Sequence, residues 1–221
     1  MHVITRFTIF AVVLVTIMGC GSSSSTPDGE GLLRRAQQAW TGDWHAVWQV
    51  EWDGAPVREP LTAEVWHAAD GRLRIETLEV PSPAISGLTL VENGTTSWLY
   101  DLRHDQIKTG SDRQMKIPLT SHAMDAIAWL LANLDEPTLS VSGGKTLESG
   151  PATRMDARLS NGDRVALWIH DETGLPSRVE LHSAVWGEAA FTARSISVPD
   201  SLHPDLFVFQ QMGGIGSDLP K

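Results

Sequence analysis

Three short turn sequences, each flanked by runs of alternating apolar and polar residues, most constrain the fold of this chain. They are Asp70-Gly71, Asn93-Gly94 and Asn161-Gly162. Because glycine after Asp or Asn supplies the positive φ that tight hairpins need, each turn predicts two antiparallel strands in direct succession. Parallel strands would need crossover connections of a dozen residues or more. The chain is therefore expected to form mainly antiparallel sheet.

The segment over residues 43–52 fits either a helix or a strand at first sight. Its tryptophans recur every four residues, which is the spacing of a helical stripe, together with Trp40 before it. However, the even positions from 44 to 52 are all apolar and the odd positions are mostly polar. A helix would turn Ala46 and Val50 away from the tryptophans. The alternation therefore predicts a strand over 43–52 with one aromatic face.

Alternation and turn residues predict about ten strands in all. Besides 43–52 they cover residues 62–68, 72–80, 88–92, 96–102, 103–108, 153–159, 165–170, 175–185 and 189–198. The sequence from Ser140 to Lys145 superficially resembles a nucleophile loop, but a strand that runs into a glycine turn explains it better. An antiparallel sheet of this many strands must curl, split or close.

Two segments have helical spacing. The first covers residues 31–40, with apolar residues three and four apart, and Gly42 ends it. The second is capped by Ser121 and ends near Asn133, and it has a wide apolar face. A curled sheet with a helix over its concave face would enclose an apolar cavity.

The N-terminus has the pattern of an export signal over residues 1–19. Arg6 precedes an apolar run from Phe7 to Met18, which is too short to span a bilayer because a spanning helix needs about 20 residues. Ile17-Met18-Gly19-Cys20 then resembles the lipobox of bacterial lipoproteins. That resemblance implies cleavage before Cys20 and lipidation of this cysteine.

A polar tether over residues 20–30 follows, which leaves a single domain over 31–221. Lipid on Cys20 would anchor the chain to the cell membrane or the outer membrane, with the folded domain in the periplasm or outside the cell. The alternative is an ordinary signal peptide with an incidental cysteine.

Composition narrows the classes of partner. The formal net charge of -10 argues against nucleic acid, because a phosphate backbone is bound by clustered Lys and Arg. Cys20 is the only cysteine, so an intramolecular disulfide is impossible. Nine tryptophans stand against one tyrosine. Most are expected in the core, and several could instead line an apolar pocket.

Three parts of the chain carry a resemblance to a known superfamily. They are the helix and aromatic strand over 32–52, the hairpin with an aromatic pair over 91–100, and the two strands around an acidic Gly-Leu-Pro turn over 165–180, followed by Phe207 and Phe209. The chain is similar to the periplasmic lipoprotein carriers and outer-membrane lipoprotein receptors, a superfamily that includes a periplasmic regulator of sigma-factor release. The resemblance implies a mainly β (α+β) fold: a curled antiparallel sheet forming an incomplete β-barrel, with helices covering its concave face and an apolar cavity for acyl chains.

No catalytic motif with usable spacing occurs in the sequence, and the eight histidines lack the spacing of metal ligands. We therefore expect no enzyme activity, no metal and no cofactor. The leading hypothesis is binding of a lipid, or of the acyl chains of a lipoprotein, with a possible role in lipoprotein or lipid transport and sorting. The alternative is a cell-envelope sensor or protein-interaction module with a packed interior and an exposed apolar patch.

Under the leading hypothesis, aromatic residues of the strands form the cavity wall and the second helix forms a lid. The wall is assigned to Trp44, Trp48, Trp52, Trp66, Trp98 and Tyr100, and the lid to Ile127, Trp129 and Leu131.

Overall fold

The computed structural model describes residues 28–53, 60–79, 85–111, 113–134, 138–185 and 187–209. The predicted export signal over 1–19, the predicted lipidation at Cys20 and most of the predicted tether lie outside the described residues.

Eleven antiparallel strands form one continuous sheet in the described part of the chain. They are β1 (Trp44–Trp52), β2 (Leu61–His67), β3 (Leu73–Glu79), β4 (Leu88–Glu92), β5 (Thr96–Asp101), β6 (Gln106–Ser111), β7 (Ser140–Leu147), β8 (Gly150–Arg158), β9 (Arg164–His170), β10 (Pro176–Ser183) and β11 (Gly187–Ser197). Across the sheet the strands run from β6 back to β1 and then from β11 back to β7. The edge strands β6 and β7 do not pair, so the sheet is an incomplete barrel, as predicted.

The central strand β1 confirms the strand interpretation of the tryptophan repeat. It pairs with β2 on one side and β11 on the other. Trp44, Ala46, Trp48 and Val50 are each 1% exposed. We call the face of the sheet that carries these four side chains the inner face, because both helices pack on it, and the opposite face the outer face.

The first helix, α1 (Gly29–Trp40), begins two residues before the predicted start. The carboxylate of Asp28 caps it by accepting a hydrogen bond from the backbone N–H of Gly31, a donor that would otherwise be unpaired. Leu32, Leu33 and Ala36 point into the core. The apolar face predicted from the sequence is therefore the face of α1 that packs on the sheet.

The second helix, α2 (Thr120–Asn133), also packs on the inner face, but its predicted cap at Ser121 is wrong. Leu119 occupies the cap position, with a φ of 68° and no side-chain cap. The hydroxyl of Ser121 instead accepts from the backbone N–H of Ile117 at 2.9 Å, which closes the turn before the helix. The Gln37 side chain joins the two helices by donating to the carbonyl of Leu131 at 2.7 Å.

Strand β7 is longer than the strand predicted before Gly143-Gly144. The predicted glycine turn at Gly143-Gly144 is wrong, because the strand continues through both glycines to Leu147. A bulge in its pairing with β8 lies between Ser142 and Gly144. Glycine in a strand interior commonly marks such a bulge, which bends the strand without ending it.

The C-terminal segment crosses the outer face. A short 3₁₀ helix (Pro204–Phe207) lies there, and Phe207 is only 1% exposed beneath the Arg72 guanidinium, which sits 4.7 Å from the ring centroid. Arg74 of β3 donates to the carbonyl of Leu206 at 3.1 Å. These contacts attach the end of the described chain to the outer side of β3.

Candidate functional site

An apolar groove of about 500 Å³ lies beside α2 on the inner side of the sheet. Its volume is within the usual range of small-molecule sites. Helix α2 forms one side, and the other side comes from the end of β1, the β8–β9 connection and β10. Its apolar lining consists of Trp52, Ala126, Trp129, Leu130, Leu159 and Leu181.

The three predicted lid residues of α2 lie in two different places, two in the core and one beside the groove. Ile127 and Leu131 are one turn apart, and they are 0% and 2% exposed against the sheet. Trp129 stands between them in sequence, about 200° away around the helix axis. It is 53% exposed and flanks the groove. One face of α2 therefore packs against the sheet, and another face exposes the Trp129 side chain beside the groove.

The rim of the groove is polar. His122, Asp125, Asn161 and Asp163 contribute to it. Lys116 forms an ion pair with Asp125 at 3.0 Å, and the Asn161 amide donates to Asp163 at 2.8 Å. An apolar floor with a hydrogen-bonded rim matches a molecule that has a hydrocarbon part and a polar end.

Trp44 and Trp48, predicted as cavity wall, lie on the inner face but are packed beneath the helices. The Trp40 ring contacts both, with centroid distances of 4.8 Å to Trp44 and 6.4 Å to Trp48. His67 stacks on Trp44 at 5.2 Å. Burial lowers the pKa of His67, although its Nδ1 lies 2.9 Å from the carbonyl of Gly42. Side chains fill most of this part of the inner face, and a small cleft of about 180 Å³ remains beside Trp40, Trp44 and His67.

Trp66, Trp98 and Tyr100 lie on the outer face and cannot line one cavity with Trp44 and Trp48. The register with β1 places His45 opposite Trp66, and the ring centroids of these two residues are 5.1 Å apart. The register from β2 to β5 places Trp98 and Tyr100 on the same face of the sheet as Trp66. Only Trp52 of the six predicted wall residues lines the groove beside α2.

A second, more polar cleft of about 830 Å³ lies between the outer face of β2–β5 and the C-terminal segment. Trp66 and Tyr100 line it, and Tyr100 meets Phe209 edge-on with the ring centroids 5.7 Å apart. Its charged side chains are largely paired: Arg74 with Glu76, and Glu64 with His45 at 2.7 Å.

No protein-family model matches the sequence, and no curated protein sequence matches it. Solved structures do match. An uncharacterized conserved protein from Thermus thermophilus aligns with a TM-score of 0.53 and 17% identity, over 82% of this chain and 93% of that one. LprF from Mycobacterium bovis aligns with a TM-score of 0.51 and 11% identity, over 78% and 96%.

MucB aligns with a TM-score of 0.55 and 17% identity, over 82% of this chain and 62% of MucB, so the chain spans about three fifths of that protein. A complex from Pseudomonas aeruginosa pairs MucB with MucA. This chain has the fold of these proteins. At such low identities the likeness extends to the fold and not to a ligand or partner.

Four apolar groove residues were not predicted as site residues from the sequence: Ala126, Leu130, Leu159 and Leu181. Leu159 and Leu181 sit in alternating strands and Leu130 sits on the apolar helix face, so each was predictable as buried. Their meeting at one groove depends on how α2 crosses the ends of the strands, which alternation does not encode.

Two further properties describe the part of the chain that the structure covers. None of its helices is both long and apolar enough to cross a membrane. Within the same residues, no group of three or more His, Cys, Asp or Glu side chains is arranged to hold a metal ion.

Proposed function

We propose that this protein binds an acyl chain of a lipid or lipoprotein in the groove beside α2, without catalysing a reaction. The observation that carries the proposal is the groove itself, in which Trp129 stands half-exposed above a floor that includes Trp52, Leu159 and Leu181. Monomeric proteins seldom leave such a concave apolar surface open unless something binds it.

Burial of hydrocarbon would supply the affinity. Each Å² of apolar surface removed from water is worth about 25 cal/mol, so a few hundred Å² would give several kcal/mol before the costs of ordering the chain. The polar rim around His122 and Asn161 would keep the head group of the lipid in water. The groove would therefore hold the chain and leave the head group outside.

Lipid on Cys20 would keep the domain close to a membrane, which is the source of the proposed ligand. Asp28, where the described domain begins, is eight positions after Cys20, so the tether reaches at most about 30 Å. We propose that the protein is exported, anchored through Cys20, and takes part in the transport or sorting of lipids or lipoproteins in the cell envelope.

The test is lipid analysis of the domain made without its anchor. Residues 26–221 are purified from bacterial cells, and native mass spectrometry is followed by organic extraction. A co-purified diacyl or triacyl lipid is expected, and Trp129→Asp should abolish its retention. Val198→Asp is the matched control, because Val198 is also 53% exposed and lies outside the groove. A lipid-free mass together with no uptake of fluorescent fatty acid would rule out the proposal.

A second candidate function, protein binding in the cell envelope, is favoured by the burial of Trp44 and Trp48, which are each 1% exposed beneath the helices. The same fold occurs in MucB, which has been solved in complex with MucA(peri). A photo-cross-linking amino acid at position 129 separates the two candidates in cells. Adducts with lipid support the acyl-chain site, whereas a discrete protein adduct supports an interaction module.

A further inference from the structure

Two arginines face each other on the outer face of the β8–β9 hairpin. Arg158 and Arg164 are directly opposite in the register, and both are exposed. His182 of β10 is the next residue along the same row, opposite Arg164. Like charges directly opposite each other destabilise an antiparallel pair. The row is therefore unfavourable unless an anion lies between the charges.

Most other arginines of the domain have a carboxylate partner. The pairs, all within 3.1 Å, are Arg34–Glu30, Arg72–Asp70, Arg74–Glu76, Arg154–Asp156, Arg178–Glu180 and Arg194–Glu79. Among the described residues, no carboxylate oxygen lies within 4.0 Å of the guanidinium nitrogens of Arg158 or Arg164. Within those residues, Arg158 and Arg164 therefore lie side by side without an ion-pair partner, in a chain whose net charge is -10.

Both arginines line a recess of about 490 Å³ on the outer face, and Thr138, Ser140 and His182 add hydroxyl and imidazole groups to its lining. Asp156 also lines the recess, but Arg154 and Ser142 donate to its oxygens at 2.6–3.0 Å. His182 lies 3.2 Å from Glu188. The polar groups left for a ligand are therefore mainly the donors of the two guanidinium groups.

We propose that Arg158 and Arg164 bind a phosphate group, either as free phosphate or as the phosphate of a lipid head group. Guanidinium groups present paired N–H donors that match phosphate oxygens, and the bound anion would remove the repulsion across the hairpin. This site is separate from the acyl-chain groove. Leu159, next to Arg158, faces the groove on the inner side of the same hairpin, whereas the recess opens on the outer side.

The test measures the unfolding midpoint of the full chain during two titrations at constant ionic strength. One uses inorganic phosphate, and the other uses dihexanoyl phosphatidylglycerol below its micelle concentration. A midpoint that rises with phosphate assigns the site to free phosphate, and a rise with the lipid alone assigns it to a head group. In either case Arg158→Gln and Arg164→Gln should weaken the apparent affinity at least tenfold.

Arg34→Gln is the control, because it removes one positive charge on α1, far along the chain from the hairpin, and should respond like the unmodified protein. Trp129→Asp should also keep the response, which separates this site from the groove. If neither titrant raises the midpoint, the two arginines are neutralised within the chain and the proposal is overturned. It is equally overturned if Arg158→Gln and Arg164→Gln respond as the unmodified protein does.

Discussion

The indole N–H of Trp44 donates a hydrogen bond of 3.0 Å to the backbone carbonyl of Trp40. Trp40 is the last residue of α1 and Trp44 the first of β1, so the bond fixes the helix against the central strand. It also satisfies one of the carbonyl groups that the end of a helix leaves without an intrahelical partner. The two buried tryptophans of β1 differ here, because the indole N–H of Trp48 has no acceptor among the described residues.

That difference predicts unequal costs for two otherwise similar substitutions. Trp44→Phe removes packing and a hydrogen bond, whereas Trp48→Phe removes packing and a buried donor that has no partner. Because a buried hydrogen bond is worth about 1 kcal/mol and an unsatisfied group costs about 1–3 kcal/mol, Trp44→Phe should be the more destabilising by at least about 1 kcal/mol. Urea unfolding of both variants measures it, and equal or reversed losses would contradict the assignment.

Filling the groove should block ligand binding without unfolding the protein. Ala126 is half-buried on α2 and lines the groove. We expect Ala126→Trp to weaken the binding of a fluorescent fatty acid at least tenfold by occupying the space of the acyl chain, with a loss of stability of no more than about 2 kcal/mol. Ala132→Trp is the control, because Ala132 is exposed on the same helix outside the groove. Similar affinities in the two variants would place the fatty acid elsewhere.

Acidification should destabilise the protein through His67. Its pKa in the folded protein is lowered mainly by burial, so below its ordinary value of 6.5 the unfolded chain takes up a proton first. Stability is therefore retained above pH 6.5 and falls as the pH drops toward the lowered value. We expect the free energy of unfolding to fall less between pH 7 and pH 5 in His67→Gln than in the unmodified protein. An equal fall in the two proteins would contradict this role of His67.

Two glycines with positive φ should differ in their tolerance of alanine. A Cβ on Gly150 (φ +129°) would lie 2.6 Å from Nε2 of His170, which is 5% exposed and held 3.0 Å from the carbonyl of Ser149. A Cβ on Gly94 (φ +90°) would meet no atom within 4 Å. Gly94→Ala should cost about 1 kcal/mol of backbone strain, and Gly150→Ala at least about 1 kcal/mol more because it adds a clash. Thermal unfolding of the pair decides this.

The sequence predicted most of the fold because hairpins are local. The glycines of all three turns have positive φ, and β1 keeps its alternation over nine residues. Strand β7 continues past its predicted end because two adjacent glycines are typical of a turn and carry no side chains that could show the alternation. Ser121 was mistaken for a cap because its hydroxyl bonds to Ile117, four residues earlier in the chain, an interaction that the spacing of residues does not show.

The candidate site was harder to predict because the inward-facing positions are even-numbered in some strands and odd-numbered in others. In β1 the even positions face inward, but in β2 and β5 the odd ones do, so Trp66 and Tyr100 point outward. Bulges also shift the register within a strand, as between Val47 and Trp48. The sequence therefore shows which residues are aromatic, but only the pairing of the strands determines on which face of the sheet each one lies.

The pairing of β1 with β11 has a consequence for how the chain reaches its folded state. His45 and Ser197 are partners although they are 152 positions apart in sequence, whereas all other neighbouring strands in the sheet are consecutive in sequence. Each half of the sheet, β1–β6 and β7–β11, can assemble from local hairpins, but the seam between them needs the last strand. Contacts of such long sequence separation form slowly. The seam cannot close until β11 has left the ribosome, so β1 keeps an unpaired edge while the strands between β2 and β10 are being synthesised.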